Sequence, residues 1–138
     1  MAETETFSPE LRPILLRSFP EEVPRARRAI RNNLLAYPTA VVDTVEQCAS
    51  ETVTNAIVHS DTAEKSGFIM LVIVELQDRI RIEVIDDGSE KNSPQPNKDA
   101  ELSDMDGRGL FMVDTLTDAW GTHVDEDGRN VWFEVNIY

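Results

Sequence analysis

Glu51, Asn55 and His59 recur at intervals of four in the run Glu46-Gln-Cys-Ala-Ser-Glu-Thr-Val-Thr-Asn-Ala-Ile-Val-His. On a helix that spacing gives one polar stripe, because residues four apart sit one above another. A carboxylate one turn from a carboxamide suits a general base beside an oxygen ligand for a hard cation such as Mg²⁺. The stripe alone reads more readily as a solvated helix face lying opposite an apolar face at 45, 49, 53 and 56.

Two more clusters invite the same question. Val84-Ile-Asp86-Asp-Gly88 closes an apolar run. A carboxylate there accepts hydrogen bonds, including from the exocyclic amine of a base, and a glycine two residues on lets backbone approach a flat ring. Asp-Gly also marks ordinary turns. In Gly107-Arg108-Gly109-Leu110 the glycines precede an apolar helical pattern, so free N–H groups and the positive end of a helix would suit phosphate. A plain helix entry has the same pattern.

Other chemistries fail on their residues. There is no Gly-x-x-x-x-Gly-Lys-Ser/Thr, and Gly107-x-Gly109 has Met112 where a dinucleotide loop needs a third glycine. His59 and His123 stand apart, Cys48 falls in a helical pattern as a small core residue, and no serine occupies a nucleophile elbow. The stretch from Asp125 to Asn130 lacks the oxygen ligands of a calcium loop, with Arg129 at one of them, and reads as a hairpin turn.

The elements that would position these clusters follow from periodicity. Ile14, Leu15 and Leu16 between Pro13 and Pro20 suggest a short strand. From Glu21 to Ala36, apolar residues at 23, 26, 30 and 34 behind an acidic start and Pro24 predict an amphipathic helix, ended by Tyr37-Pro38. Thr39 is the expected N-cap of a second, long helix to about His59, with apolar positions at 42, 45, 49, 53, 56 and 57. Phe68 to Leu76 is a central strand by its β-branched apolar run, and Arg79 to Asp86 alternates with period two, so the pair forms a hairpin. Residues 88 to 107 are polar and too long for an idle connector, which favours a mobile functional loop. A short helix opening at Gly109 and two strands, Trp120 to Val124 and Val131 to Ile137, complete an α+β order.

The chain has 138 residues, about one domain, and its 26 acidic against 13 basic side chains give a formal charge of -13. That balance opposes sequence-independent nucleic-acid binding, which depends on Lys and Arg releasing counterions. One cysteine closes no intramolecular disulfide, no basic-then-apolar leader opens the chain, and the longest apolar run, near 68 to 76, is far below spanning length. A soluble cytoplasmic protein without membrane contact is expected. The first eight residues read as a loose terminus.

Taken together, in this order and with these gaps, the three clusters resemble the asparagine box and the two glycine boxes of the histidine-kinase-like ATPases, the superfamily of gyrase B, MutL and the histidine kinases. The runs Glu51 to His59 and Gly107 to Val113, with Val131-Trp-Phe-Glu-Val135 near the end, are similar to its small stand-alone branch, the anti-sigma factor serine kinases and their actinobacterial relatives. The likeness spans about Phe19 to Val135.

The resemblance implies a two-layer α+β sandwich in which a mixed, mostly antiparallel sheet is covered on one face by helices. It implies a flexible N-terminus over 1–10 and one ATPase domain over 11–138, with an ATP lid at about 89–106. Asn55 would bind Mg²⁺, Glu51 would act as base, and Asp86 would take the adenine amino group with Gly88 beside the ring. Gly107, Gly109 and Leu110 would line the phosphates, and Arg108 would lean on the β- or γ-phosphate. Position 90 is Glu where the first glycine box usually has its second glycine, and Asn130 stands where related chains often place a threonine or another small polar residue.

The function implied is an ATP-dependent serine/threonine kinase acting on an anti-anti-sigma factor and doubling as an anti-sigma factor, with a homodimer expected from the branch. No phosphoacceptor-histidine hairpin precedes the domain, which argues against a complete sensor histidine kinase. The alternative is a non-catalytic module that binds ATP, or no nucleotide, and sequesters a protein. Arg25, Arg27, Arg28 and Arg31 form a basic ridge on the first helix, read either as a partner surface or as a solvated face.

Overall fold

The hairpin expected at the centre is the centre of the sheet. β2 (Phe68–Glu75) and β3 (Arg79–Asp86) pair antiparallel, closed by the Leu76 N–H donating to the Arg79 carbonyl at 2.9 Å. Their alternation sends Ile69, Leu71 and Ile73, with Ile80, Ile82 and Val84, to one face, where each is buried. The structure, a computed structural model, describes residues 10–59, 67–86, 107–125 and 128–138, and of 59, 107–110 and 125 the backbone alone. The expected N-terminal tail up to residue 9, Gly88, Glu90 and the expected lid lie outside the described residues.

β1 (Glu10–Arg17) pairs with β2, β5 (Gly128–Asn136) with β3, and β4 (Ala119–Asp125) with β5, giving the order β1-β2-β3-β5-β4. Every ladder between described strands is antiparallel. β1 is longer than expected: it runs through Pro13, which pairs with Val72, instead of being bracketed by prolines. An edge strand tolerates this, because alternate N–H groups point away from the ladder. β4 and β5 form the expected hairpin, and Gly128 opens β5 with φ 149°, a conformation that side-chain-bearing residues resist.

Three α-helices are described, and α1 and α2 lie over the sheet face that carries the buried residues. A 3₁₀ turn at Pro20–Glu22 leads into α1 (Val23–Asn33), which ends at Asn33 with Leu34 as its C-cap, earlier than the Ala36 expected. Ala26, Ile30 and Leu34 are buried and Val23 packs against them, the spacing read from the sequence. In α2 (Thr39–His59) the Pro38 carbonyl accepts from the N–H groups of Val41 and Val42, so Pro38 caps the helix and Thr39 is its first residue, not its cap. Val42, Val45, Cys48, Ala49, Val53 and Ala56 are buried. α3 (Gly107–Leu116) buries Val113 against the same core. Each fully buried Val, Leu, Ile or Phe contributes about 1.5–3 kcal/mol, so this layer dominates the stabilisation.

The arginine ridge of α1 is largely spent inside the molecule. Arg27 and Arg31 pair with Glu46 of α2, Arg31 also with Asp43 at 2.6 Å, and Arg25 binds Glu22 and the Leu15 carbonyl. These contacts hold α1 to α2 and to β1, leaving the exposed Arg28 as the member without such a described partner. No helix among the described residues is long and apolar enough to cross a membrane.

Candidate nucleotide site

α2 is aimed by its first residues. Tyr37, two residues before the helix, donates to Glu75 at the end of β2, so α2 starts beside that end of the sheet. Its 21 residues make a rod of about 30 Å, comparable with the strands beneath it. Packed on β2, β3 and β5, it carries Glu51 and Asn55 in its second half towards the end where β3 finishes in Asp86.

Glu51 and Asn55 do not lie opposite the core. The exposed residues of α2 include Asp43, Gln47, Thr54 and Val58, whereas Glu51 and Asn55 are half-buried on the flank, next to the buried Thr52 and Ala56. A purely solvated stripe would be exposed throughout. Cys48, one turn before Glu51, is fully buried; burial first, and the Glu51 charge second, push its thiol up to about 11. It stays protonated near neutrality, which fits a core residue and not a nucleophile.

Asp86 is 4% exposed at the last position of β3, on the same face as Ile80, Ile82 and Val84. Its partner in the β3–β5 register is Arg129, whose Nη2 lies 3.5 Å from Asp86 Oδ2, at the outer limit of hydrogen bonding. Arg129 was not among the site residues read from sequence. The signal was present: Arg129 shares the parity of Val131, Phe133 and Val135, the inward residues of β5. Asn130 has the opposite parity and donates to Glu83 at 3.3 Å on the other face, away from Asp86.

The third cluster begins its helix earlier than expected. Gly107, Arg108, Gly109 and Leu110 form the first turn of α3, so the opening N–H groups of that turn have no intrahelical acceptor. Further along, the helix is pinned by Trp120 Nε1 donating to Asp114 at 2.8 Å and by the buried Val113. Among the described residues no group of three His, Cys, Asp or Glu is arranged to hold a metal ion.

The donor set fits a magnesium nucleotide. It combines a carboxamide and a carboxylate one turn apart, a first helical turn whose opening N–H groups have no intrahelical acceptor, and a buried acceptor at a strand end beside an arginine whose buried Nε has no hydrogen-bond partner among the described residues.

Comparison with known proteins bears on the family and the fold of the chain. Serine-protein kinase RsbW of Listeria monocytogenes serotype 4a is 27% identical over 94 residues, which cover 62% of this chain and 60% of the relative. RsbW of Listeria innocua serovar 6a matches at the same identity and coverage. The chain thus spans about three fifths of the length of these curated relatives. The crystal structure of the RsbU and RsbW domains of Rv1364c from Mycobacterium tuberculosis superposes with a TM-score of 0.66 over 91% of this chain and 31% of that one, at 16% identity, a likeness of fold. The family described as the histidine kinase-like ATPase domain matches residues 16–135, nearly every described element, and the chain belongs to that family.

Proposed function

We propose that this chain binds ATP with Mg²⁺ and transfers its terminal phosphoryl group to a serine or threonine of a protein partner, as an anti-sigma factor acting on an anti-anti-sigma factor. The observation that carries the reading is the half-buried Glu51–Asn55 turn of α2 together with the buried Asp86, in a histidine kinase-like ATPase domain. The RsbW relatives, named as serine-protein kinases, supply the choice of acceptor.

Each residue has a task in this reading. Asp86 accepts from the exocyclic amine of adenine, with Gly88 beside the ring. Asn55 offers its carboxamide oxygen to the metal, and Glu51 takes the proton of the attacking hydroxyl. The first turn of α3, with Gly107, Gly109 and Leu110, receives phosphate through its N–H groups, and Arg108 adds charge. Mg²⁺, when bound, neutralises phosphate charge as it is transferred. A protein of charge -13 favours a partner with a basic contact surface, which a sigma factor would supply. A cytoplasmic location and a homodimer belong to the same reading.

The test mixes purified protein, Mg·ATP and a candidate partner and follows phosphate on serine. Glu51→Ala lowers transfer by about a hundredfold or more, the usual worth of a general base; unchanged transfer would remove Glu51 from that role. Calorimetry separates the alternative: no heat with Mg·ATP alongside tight partner binding would identify a sequestering module.

A further inference from the structure

Arg129 is an arginine on the inward face of β5, among residues otherwise apolar. Its Nη2 is 3.5 Å from Asp86 Oδ2, with the Asp86 side chain 2% exposed and that of Arg129 27% exposed. Arg129 Nε is buried and has no hydrogen-bond partner among the described residues. A guanidinium carries five N–H donors in a fixed fork and accepts nothing, whereas an ionised carboxylate only accepts. A donor therefore stands beside an acceptor at the end of β3.

Adenine offers the matching pattern on one edge: the exocyclic amine donates and the adjacent ring nitrogen accepts. Guanine and hypoxanthine present the reverse, a carbonyl oxygen beside a ring N–H. In the same pose these would set oxygen against carboxylate and N–H against guanidinium. Mispairing of buried polar groups is heavily penalised, which makes such an edge a strong discriminator.

Resting on the ATP reading of the site, we propose that Arg129 reads the base, donating to the adenine ring nitrogen next to the amine that Asp86 accepts, so that the pair selects adenine over 6-oxopurines. Its neighbour Asn130 has no such role, since it bonds Glu83 on the opposite face.

The test measures binding of the magnesium complexes of ATP, 1-deaza-ATP (that ring nitrogen replaced by C–H), ITP and purine riboside triphosphate (the amine replaced by hydrogen). The unsubstituted protein is expected to bind 1-deaza-ATP about tenfold or more weakly than ATP, and ITP more weakly still. Arg129→Met is expected to bring ATP down to the level of 1-deaza-ATP while keeping ATP above purine riboside triphosphate, because Asp86 still reads the amine. Equal affinity of the unsubstituted protein for ATP and 1-deaza-ATP overturns the proposal, even if Arg129→Met fails to fold. So does a folded Arg129→Met that keeps the original ratio. If the unsubstituted protein binds none of the four, the ATP reading itself has failed and the proposal falls with it.

Discussion

Tyr37 Oη donates to Glu75 Oε1 at 2.6 Å, tying the turn between α1 and α2 to the end of β2. Glu75 also meets Arg12 Nε at 3.0 Å, so three elements converge on one carboxylate, far along the sheet from Asp86. The contact sets where α2 begins and therefore where Glu51 and Asn55 arrive.

Burial, then the bond to Glu75, raises the Tyr37 phenol to about 12. The folded value lies above the ordinary 10, so the neutral phenol's contribution is complete below about pH 10 and lost as pH rises from about 10 to 12. Phenolate absorbance should show a step near the upper value that disappears in Tyr37→Phe and moves down in Glu75→Gln. Tyr37→Phe should cost about 1–2 kcal/mol in denaturant unfolding.

Glu22 works at the other side of α1. Its carboxylate accepts from the Arg17 N–H at 2.9 Å and from Arg25, and the backbone bond chiefly holds its pKa below the usual 4.5. This stabilisation is present above that ordinary value and is lost as pH falls through the lower folded value. Glu22→Gln should flatten the acid limb of a stability-against-pH curve, with a loss near neutrality of about 1 kcal/mol.

Gly121 leaves room for Trp132. A Cβ at 121 would come within 2.8 Å of the Trp132 ring, and that ring carries the Arg81 guanidinium at 4.2 Å from its centroid. Gly121→Ala should turn the indole, shift tryptophan fluorescence and near-ultraviolet dichroism, and cost about 1–3 kcal/mol. An unchanged spectrum would mean that the ring is not seated against Gly121.

Asp86→Asn keeps the shape of the side chain but removes the countercharge of Arg129 and half of the acceptor capacity. Loss of about 1–3 kcal/mol in stability and at least tenfold in ATP affinity is expected, measured by thermal unfolding and calorimetry. Asn55→Ala should leave stability within about 1 kcal/mol while weakening the magnesium dependence of binding. ATP affinity that survives both changes would move the site elsewhere.

Much of this was legible in the residues. The period-two run from Arg79 to Asp86 gave its strand and its buried face, and the apolar spacing of α1 and α2 gave theirs, because burial against one layer imposes those periods. Pro13 misled as a boundary, since its tolerance depends on β1 being an edge, which is a property of the sheet. The cap moved from Thr39 to Pro38 because the helix begins one residue earlier than read: the Pro38 carbonyl already accepts from the Val41 and Val42 N–H groups. At the site, the flank position of Glu51 and Asn55 and the pairing of Arg129 with Asp86 required knowing what packs beside α2 and which strand neighbours β3. Strand order is non-local and leaves little local trace.

That order has a consequence for how the chain reaches its native state. β3 is flanked by β2, its immediate neighbour in sequence, and by β5, whose residues begin more than forty positions later. Until residues 128–136 have been synthesised, the second edge of β3 has no ladder partner and Ile80, Ile82 and Val84 lack the flank that Phe133 and Val135 supply. The β2–β3 hairpin can form early, but the sheet closes late, leaving an interval in which an apolar strand edge is open to chaperones or to another copy of itself.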